Sequence, residues 1–270
     1  MKVLRAALVL FAILLLSVAV IIPQWAFSRF WPSAARRFPS MYFRTVARIM
    51  GMKVVQRGEP LSERACLYVS NHVSWLDIVV LSTVTPMSFI AKKEVASWPL
   101  FGTLATVGRS IYVDRERRHD VGRSLARMRE RLDADEVITL FPEGTSSDGN
   151  RVLPFRSALM AAAEVMVGGA HVPVQPLTIA YTGIHGVPIG RVRRPIFAWY
   201  GDINLAYHVL GVALVGPFEV TVMAHRPTDL GSFNNRKELT RYCEEIIRAG
   251  LAETLTGRVP VAVPVPRETG

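Results

Sequence analysis

The chain has 270 residues, a formal net charge of +10 at neutral pH and 50% hydrophobic residues. This length suits one large α/β domain, and the mean hydropathy of +0.25 indicates membrane contact in addition to a buried core. A basic surface favours an anionic partner, such as an acidic lipid surface or a phosphorylated substrate. We expect no nucleic-acid partner, because the sequence has no recognisable nucleic-acid-binding motif.

The N-terminal segment from Ala6 to Pro23 is apolar and carries no charge. Its length is close to the roughly 20 residues that a helix needs to span a bilayer. Aromatic residues that suit a membrane interface follow it: Trp25, Phe27, Phe30 and Trp31. A cleaved signal peptide is the alternative, but bulky residues stand where a cleavage site needs small ones. We therefore predict a retained membrane anchor.

Positive charge is denser after this segment than before it. The bias predicts an inner-membrane protein whose larger, C-terminal part faces the cytoplasm. Residues 33–52 are basic and amphipathic, with an apolar face made of Phe38, Met41, Phe43, Val46, Ile49 and Met50. This pattern predicts a helix lying on anionic lipid headgroups, with an ordinary core-packing helix as the alternative. We expect Pro39 to break or kink the helix near its start.

Residues 53–257 alternate short apolar runs with amphipathic stretches, which is typical of an α/β domain. We predict strands at residues 65–69, 87–91, 110–113, 136–141, 172–181, 195–200 and 218–223. We predict helices at residues 75–83, 98–106, 119–132, 156–168, 202–214 and 234–253. The expected fold is a single α/β domain with a mostly parallel sheet flanked by helices, preceded by the anchor and amphipathic helix of residues 1–52. The tail, residues 258–270, is predicted to be disordered.

The two cysteines, Cys66 and Cys243, form no CxxC or zinc spacing. We interpret both as buried thiols in a reducing compartment. The six histidines are scattered and give no metal-binding motif, so we predict no metal site. A nucleophilic serine or cysteine is not expected, because the chain has no G-x-S-x-G elbow and Cys66 lies inside a strand.

A polar stretch, NHVSWLD at residues 71–77, separates two apolar runs. Ser74 is a plausible N-cap of the helix that follows. This turn can bring the carboxylate of Asp77 to one ring nitrogen of His72, where it would fix the tautomer and make the other nitrogen a better base. Alternatively, both side chains cap local backbone groups, and the spacing alone leaves this alternative open.

Two further polar stretches follow predicted strands. Residues 141–150, FPEGTSSDGN, lie where open α/β sheets bind ligands, and Gly144 permits close approach of a ligand to the backbone. A polar turn is the alternative. The stretch Gly108–Arg115 ends in Arg115, whose guanidinium can clamp a phosphate, although it can equally be a surface arginine paired with Asp114 or Glu116.

Together these stretches resemble the glycerolipid acyltransferases of the 1-acylglycerol-3-phosphate acyltransferase type, which carry HxxxxD and FPEGT blocks. The resemblance extends over residues 50–225 and includes smaller matches at Lys92–Glu94, Trp98–Pro99, Phe101–Gly102 and Val172–Pro176. It implies that His72 is the general base and that Asp77 orients it. It also implies a substrate-binding set of Arg115, Glu143, Gly144, Thr145 and Ser146. No cofactor is implied beyond an acyl thioester of acyl carrier protein or CoA as co-substrate.

The acceptor is less sharply defined by the resemblance. Family members usually carry a basic residue at the position of Ser146, where it helps to hold the acceptor phosphate. Either Arg115, Arg151 and Arg156 compensate, or the acceptor has no glycerol phosphate. Residues 141–155 and 199–202 look like those of bacterial members that acylate lyso-ornithine lipid. We predict lysophosphatidic acid as the acceptor, with lyso-ornithine lipid as the alternative and a non-catalytic membrane scaffold as the alternative of another class.

Overall fold

The computed structural model of the chain describes residues 1–98, 102, 105–106, 108–113 and 118–258. Its helices are α1 (Lys2–Phe30), α2 (Pro32–Met50), α3 (Leu76–Val84), α4 (Arg118–Asp133), α5 (Leu205–Val215) and α6 (Arg236–Thr256). Its strands are β1 (Met52–Gly58), β2 (Cys66–Ser70), β3 (Ser88–Lys92), β4 (Ile111–Val113), β5 (Val137–Leu140), β6 (Met166–Val167), β7 (Ala170–His171), β8 (Val174–Ile184), β9 (Val187–Pro188) and β10 (Phe218–Ala224). Short 3-10 helices lie at Lys93–Ser97, Ser157–Glu164, Arg194–Phe197 and Leu230–Ser232.

The main sheet has the strand order β1-β10-β8-β2-β5-β3-β4, and β9 pairs with the end of β8. Strand β8 is antiparallel to β10 and β9, and the other pairs are parallel. The predicted α/β fold with a mostly parallel sheet is therefore confirmed. Strand β2 lies in the middle of this sheet, so its carboxyl end opens onto a central position at the sheet edge, where ligands of open α/β sheets bind.

Hydrophobic clusters cover both faces of the sheet. Tyr68 on β2 belongs to the cluster that includes residues of α1, α2, α3 and α5. Its neighbours Leu67 and Val69 belong to the cluster that includes residues of α4 and α6. Burial on both faces explains why β2 is a continuous apolar run rather than an alternating pattern.

The sequence prediction was wrong in several elements. Residues 195–200 were expected to be a strand, but Arg194–Phe197 is a 3-10 helix, where Pro195 has no N–H to donate to a sheet. Strand β1 was missed, because as an edge strand it has only Met52 buried and so shows little hydrophobic pattern. The helix predicted at 156–168 is a 3-10 helix followed by β6. Of the helix predicted at 98–106, residues 99–101 and 103–104 lie outside the described residues.

Helices α1 and α2 form an antiparallel pair at the N-terminus. The hydroxyl groups of Ser17 and Tyr42 lie 2.8 Å apart, and the Gln24 side-chain amide donates to the carbonyl of Ala35 over 3.2 Å. Helix α1 is long and apolar enough to cross a membrane, with a mean hydropathy of 2.9, although a core helix or a signal sequence passes the same test. Only 22% of its most apolar window is buried, and its outward face is a row of large side chains: Leu4, Leu8, Phe11, Leu15, Val18, Ile22 and Trp25. This surface supports membrane association.

The structure favours the core-packing alternative for α2. Phe43, Val46 and Met50 on its apolar face are buried within the core, and of the predicted lipid-facing residues only Met41 stands out among the exposed large side chains. The helix also continues through Pro39 instead of ending there, with Pro32 at its first turn. The helix predicted to face lipid thus packs mainly between α1 and α3.

Both cysteines are free and buried, as expected. Burial raises the pKa of the Cys66 thiol to about 12, so this thiol is a structural group rather than a nucleophile. The tail predicted to be disordered lies, after Arg258, outside the described residues.

Candidate active site

The loop between β2 and α3 carries the first predicted site residues. Asn71 fixes the start of this loop. Its side-chain N–H donates to the carbonyl of Ile179 on β8 over 3.0 Å, and its side-chain oxygen accepts from the backbone N–H of Ile179 over 2.8 Å. The loop is therefore tied to the neighbouring strand before it reaches His72. The helix cap is Trp75 rather than the predicted Ser74, whose hydroxyl accepts from the N–H of Leu76 over 3.4 Å.

The structure brings His72 and Asp77 together. The ring Nδ1 of His72 lies 2.8 Å from Oδ2 of Asp77. The same oxygen accepts from the backbone N–H groups of Val73 (2.6 Å) and Ser74 (2.9 Å), so the carboxylate also holds the loop that leads into α3. Asp77 is completely buried, and the remaining ring nitrogen of His72, Nε2, is the one available to a substrate.

A residue that the sequence prediction missed completes this pair. Tyr181 on β8 donates its hydroxyl proton to Oδ1 of Asp77 over 2.8 Å. Burial, together with the nearby Asp77, raises the pKa of Tyr181 well above its ordinary value, so the phenol stays protonated and acts as a donor. The sequence carries no signal for this contact, because Tyr181 is one apolar residue in a strand that is buried along most of its length.

The imidazole is also held by stacking. Its ring lies 4.1 Å from that of Phe141, at an interplanar angle of 17°. Phe141 in turn stacks on Phe89 with a centroid distance of 6.3 Å. Contacts of this kind fix the plane of the His72 ring, as general base catalysis requires.

Glu143 holds the backbone of the same loop. One oxygen accepts from the N–H of His72 over 2.9 Å, and the other accepts from the N–H of Leu153 over 3.2 Å. Burial raises the pKa of Glu143 to about 8, while these two donors act in the opposite direction. Glu143 was expected to bind substrate. Its buried carboxylate instead bonds to the main chain, so we propose that it positions His72.

The residues that follow Glu143 in the FPEGTSSDGN stretch border a large cavity. Gly144 has a positive φ of 72°, which places its backbone in the left-handed region and turns Thr145 and Ser146 towards the cavity. The loop is tied to the first site loop by a hydrogen bond of 2.8 Å from the N–H of Ser147 to the carbonyl of His72. Gly144, Thr145 and Ser146, which were predicted to bind substrate, thus line the cavity.

The cavity has a volume of about 620 Å³ and includes His72 in its wall, which is within the range of small-molecule and lipid sites. Much of its lining is apolar, with contributions from α1, α2, α4 and α5 such as Val9, Ile13, Val46, Leu125, Met128 and Val209. A base at the wall of an apolar cavity suits a substrate whose reactive hydroxyl is attached to a fatty chain.

The predicted anion clamp, Arg115, lies outside the described residues. The stretch that leads to it does border the cavity through Gly108, Ser110 and Val113. The two arginines considered as substitutes, Arg151 and Arg156, are exposed and are absent from the cavity lining.

Arg194 is a second residue that the sequence prediction missed. It is buried, and its guanidinium donates to the carbonyls of Tyr181 (3.3 Å) and Ile189 (3.1 Å) and to the side-chain oxygen of Asn150. It therefore ties the loop that follows Ser146 to the strand that carries Tyr181. A single arginine in a basic sequence gives no signal for such a role.

These features define a class of enzyme. A histidine with a buried carboxylate behind it can accept a proton from a hydroxyl, and within the described residues no group of three or more His, Cys, Asp or Glu side chains could hold a metal ion. The geometry therefore suits base-assisted chemistry on a hydroxyl group at the wall of a largely apolar cavity.

Comparison with known proteins specifies this class. The sequence model of the Acyltransferase family matches residues 48–180. The lyso-ornithine lipid O-acyltransferase of Brucella abortus is 42% identical over 94% of this chain and 96% of its own, and that of Rhizobium meliloti is 44% identical over 83% and 77%. The 1-acyl-sn-glycerol-3-phosphate acyltransferase of Neisseria gonorrhoeae is 31% identical over 74% of each chain. The chain belongs to the Acyltransferase family, which confirms the expected resemblance.

A solved structure confirms the fold. The crystal structure of the 1-acyl-sn-glycerophosphate acyltransferase from Thermotoga maritima superposes with a TM-score of 0.66 and covers 95% of this chain and 98% of its own. The two sequences are 23% identical, so the likeness concerns the fold alone.

Proposed function

We propose that this acyltransferase moves a fatty acyl group from an acyl thioester to the free hydroxyl of lyso-ornithine lipid. The observation that carries the acyl-transfer chemistry is the His72–Asp77 pair in the wall of an apolar cavity. The observation that favours this acceptor is the 42% identity with a lyso-ornithine lipid O-acyltransferase across almost the whole chain. O-acylation of a lysolipid in lipid biosynthesis is common to both kinds of relative.

The proposed reaction is a direct transfer. Nε2 of His72 accepts the proton of the acceptor hydroxyl while its oxygen attacks the carbonyl carbon of the thioester. The new C–O bond forms, the C–S bond breaks, and the imidazolium returns the proton to the departing thiolate. Asp77 keeps the proton of the ring on Nδ1 and stabilises the imidazolium during the reaction. The chain needs no covalent acyl-enzyme for this sequence of steps.

The composition of the cavity supports an acceptor without phosphate. Among its described lining residues there is no lysine or arginine, and Ser146 stands where a basic residue is usual in the family. A phosphate headgroup is normally held by charge-assisted hydrogen bonds from such residues.

Lysophosphatidic acid is the second candidate. It is favoured by the relatives named 1-acyl-sn-glycerol-3-phosphate acyltransferase and by the proposal that Arg115 serves as an anion clamp. We place it second because these relatives are 31% identical, against 42% and 44% for the two lyso-ornithine lipid enzymes.

We further propose that α1 anchors the enzyme in the inner membrane with the catalytic domain facing the cytoplasm. The exposed apolar face of α1 supports the anchor, and the net charge of +10 supports contact with anionic lipids. The same basic surface would suit the donor, whether acidic acyl carrier protein or phosphate-rich CoA.

The experiment compares acceptors and donors side by side. Membranes containing the enzyme receive lyso-ornithine lipid or lysophosphatidic acid, each with acyl carrier protein or CoA thioesters. We expect acylated lyso-ornithine lipid, and we expect its loss in His72→Ala membranes that contain the same amount of folded protein. Acylation of lysophosphatidic acid alone would refute the proposed acceptor, and unchanged activity of His72→Ala would refute the proposed mechanism and favour a scaffold.

A further inference from the structure

We infer that residues 187–210 form a second lipid-contacting surface, the 187–210 surface, which lies against anionic lipid beside α1 and turns the opening of the cavity towards the bilayer. The inference rests on the proposed function, because a lysolipid acceptor has to reach His72 from lipid. It adds the part of the catalytic domain that faces this lipid.

The 187–210 surface exposes large apolar side chains to solvent. Val192 is 93% exposed and Tyr207 is 77% exposed. The helix within the surface, α5, contains no aspartate, glutamate, lysine or arginine, so it lacks the charged outer face that is usual for a surface helix. The 3-10 helix Arg194–Phe197 packs against α5, so their exposed side chains adjoin. An exposed apolar patch of this kind marks a site of contact with another protein or with a membrane. The other large apolar side chains exposed in this patch are Val187, Ile196, Tyr200, Ile203 and Leu210.

This surface lies on the same side of the sheet as the apolar row of α1. One hydrophobic cluster on that face contains residues of both, and the guanidinium of Arg5 on α1 donates to the carbonyl of Ala213 on α5 over 3.1 Å. The outward side chains of α1 and α5 therefore both point away from this face of the sheet. A membrane that receives the row on α1 would meet the 187–210 surface as well. The shared cluster includes Val9 and Val20 of α1 together with Ile189, Phe197 and Val212.

Two arginines give this surface a positive charge. Arg191 and Arg193 are exposed, and neither forms an ion pair within the described part of the chain. Asp202 is the one acidic residue among residues 187–210. Apolar side chains flanked by arginines suit an anionic bilayer. A second copy of the chain fits less well, because a symmetric contact between copies would bring the same arginines together.

The cavity that contains His72 reaches the exterior beside this surface. Tyr200 lines the cavity and is exposed, and the same holds for Leu14 on α1. A lysolipid would thus pass from the leaflet into the cavity between α1 and the 187–210 surface, with its fatty chain kept in apolar surroundings. The backbone N–H of Trp199 donates to the carbonyl of Val73 over 2.9 Å, which ties this surface to the loop that carries the base.

The test locates introduced cysteines relative to lipid in the full-length enzyme, reconstituted in vesicles of phosphatidylglycerol and phosphatidylcholine. Val192→Cys and Tyr207→Cys each receive an environment-sensitive fluorophore, which the two buried native cysteines do not take up. We expect lipids with a quencher on the acyl chain to reduce the fluorescence of both labels. Leu8→Cys on α1 is the positive control. The label in Lys237→Cys should stay unquenched, because Lys237 is exposed on α6, which packs on the other face of the sheet.

Kinetic measurements test the charge and the apolar patch separately. Arg191→Gln combined with Arg193→Gln should raise KM for lyso-ornithine lipid in anionic vesicles by about fivefold per arginine, and should leave KM unchanged in phosphatidylcholine vesicles. Tyr207→Glu should raise KM in both kinds of vesicle. In all these variants kcat should stay the same, since none of the three residues lines the cavity. Lys237→Gln removes an exposed charge from the opposite face and should change neither parameter.

Two results would overturn the inference. One is that the labels at residues 192 and 207 stay as exposed to water as the label at residue 237, while the label at residue 8 is quenched. The other is that both labels are shielded in detergent without lipid and the enzyme migrates as a dimer, because a second copy would then cover the surface. If lyso-ornithine lipid is still acylated in either case, the proposed function stands. Quenching at both positions in an enzyme that acylates neither lysolipid would instead refute the proposed function and leave the surface in place.

Discussion

The carboxylate of Asp77 can be neutralised with little change of shape by replacing it with asparagine. The amide oxygen can take the place of Oδ2 and still accept from Val73, Ser74 and His72. The amide nitrogen would then face Tyr181, whose hydroxyl can rotate to accept instead of donate. We therefore expect Asp77→Asn to fold, while the negative charge behind the imidazole is lost.

The size of the effect follows from the role of this charge. In a Ser-His-Asp triad, where a buried carboxylate supports a histidine base in the same way, the same substitution lowers kcat by about ten-thousandfold. We expect a fall in kcat of roughly a thousandfold to ten-thousandfold, or about 4 to 5.5 kcal/mol of transition-state stabilisation. Hydrogen bonds to the neutral amide oxygen are weaker than those to a carboxylate. This difference should reduce the free energy of unfolding by only about 1 to 2 kcal/mol.

The assay measures both quantities on one preparation. Single-turnover acyl transfer to lyso-ornithine lipid gives the rate, and thermal unfolding in the same detergent gives the stability. Tyr181→Phe is the matched control, because it removes one neutral donor and leaves the charge of Asp77 in place. A fall of less than tenfold in Asp77→Asn, with the protein folded, would refute the view that this carboxylate stabilises a histidine base.

Three further predictions concern stability. Arg194→Met removes three hydrogen bonds, two of them to buried backbone carbonyls, and should lower the free energy of unfolding by about 2 to 4 kcal/mol in urea denaturation. An unchanged value would contradict a role in holding the loop. Burial lowers the pKa of His225 to about 4 from 6.5, so the unfolded state binds more protons between these values and stability is lost as pH falls from about 6.5 to 4. This loss is on the order of 3 kcal/mol and should be absent in His225→Gln, whose amide can still donate to Thr178. Gly250→Ala places a methyl group 2.6 Å from Cε1 of His225 and 2.7 Å from Oγ1 of Thr178, and should destabilise by about 1 to 3 kcal/mol; Gly122→Ala in α4, where the methyl group meets nothing within 4 Å, should not destabilise.

Much of the fold was predictable, because hydrophobic patterning directly reports burial. Strands β2 and β5 are buried along their whole length, since both faces are covered, and they appear in the sequence as mostly apolar runs in which Ser70 and Thr139 are the polar residues. Strand β1 and the 3-10 helix Arg194–Phe197 were not predictable in the same way. An edge strand buries little, and a segment as short as Pro195–Phe197, in which Phe197 is buried and Ile196 is exposed, has no periodicity that separates strand from helix.

The candidate site was predictable where its residues are close in the chain. His72 and Asp77 are five residues apart, so a strand-to-helix turn is sufficient to bring them together. Tyr181 and Arg194 come from distant segments, and their contacts depend on the pairing of β8 with β2. No local pattern reports such a contact. The positioning role that we propose for Glu143 has a similar origin, since only the packed structure reveals that both of its oxygens face backbone donors.

In the proposed function, the residues that hold the catalytic pair differ from the residue at which the sequence departs from the usual family pattern. His72 and Asp77 are held by backbone N–H groups, by Tyr181 and by the stacked Phe141. The proposed catalysis would require these contacts whichever lysolipid is the acceptor. Ser146, which stands where family members usually carry a basic residue, lies elsewhere in the wall of the same cavity and is not among the groups that make these contacts. We therefore expect that a change of charge at Ser146 alters the preferred lysolipid without disturbing the base. This arrangement gives a physical reason why enzymes named for a phosphate acceptor and for an amino-acid lipid acceptor are found among the relatives of one fold.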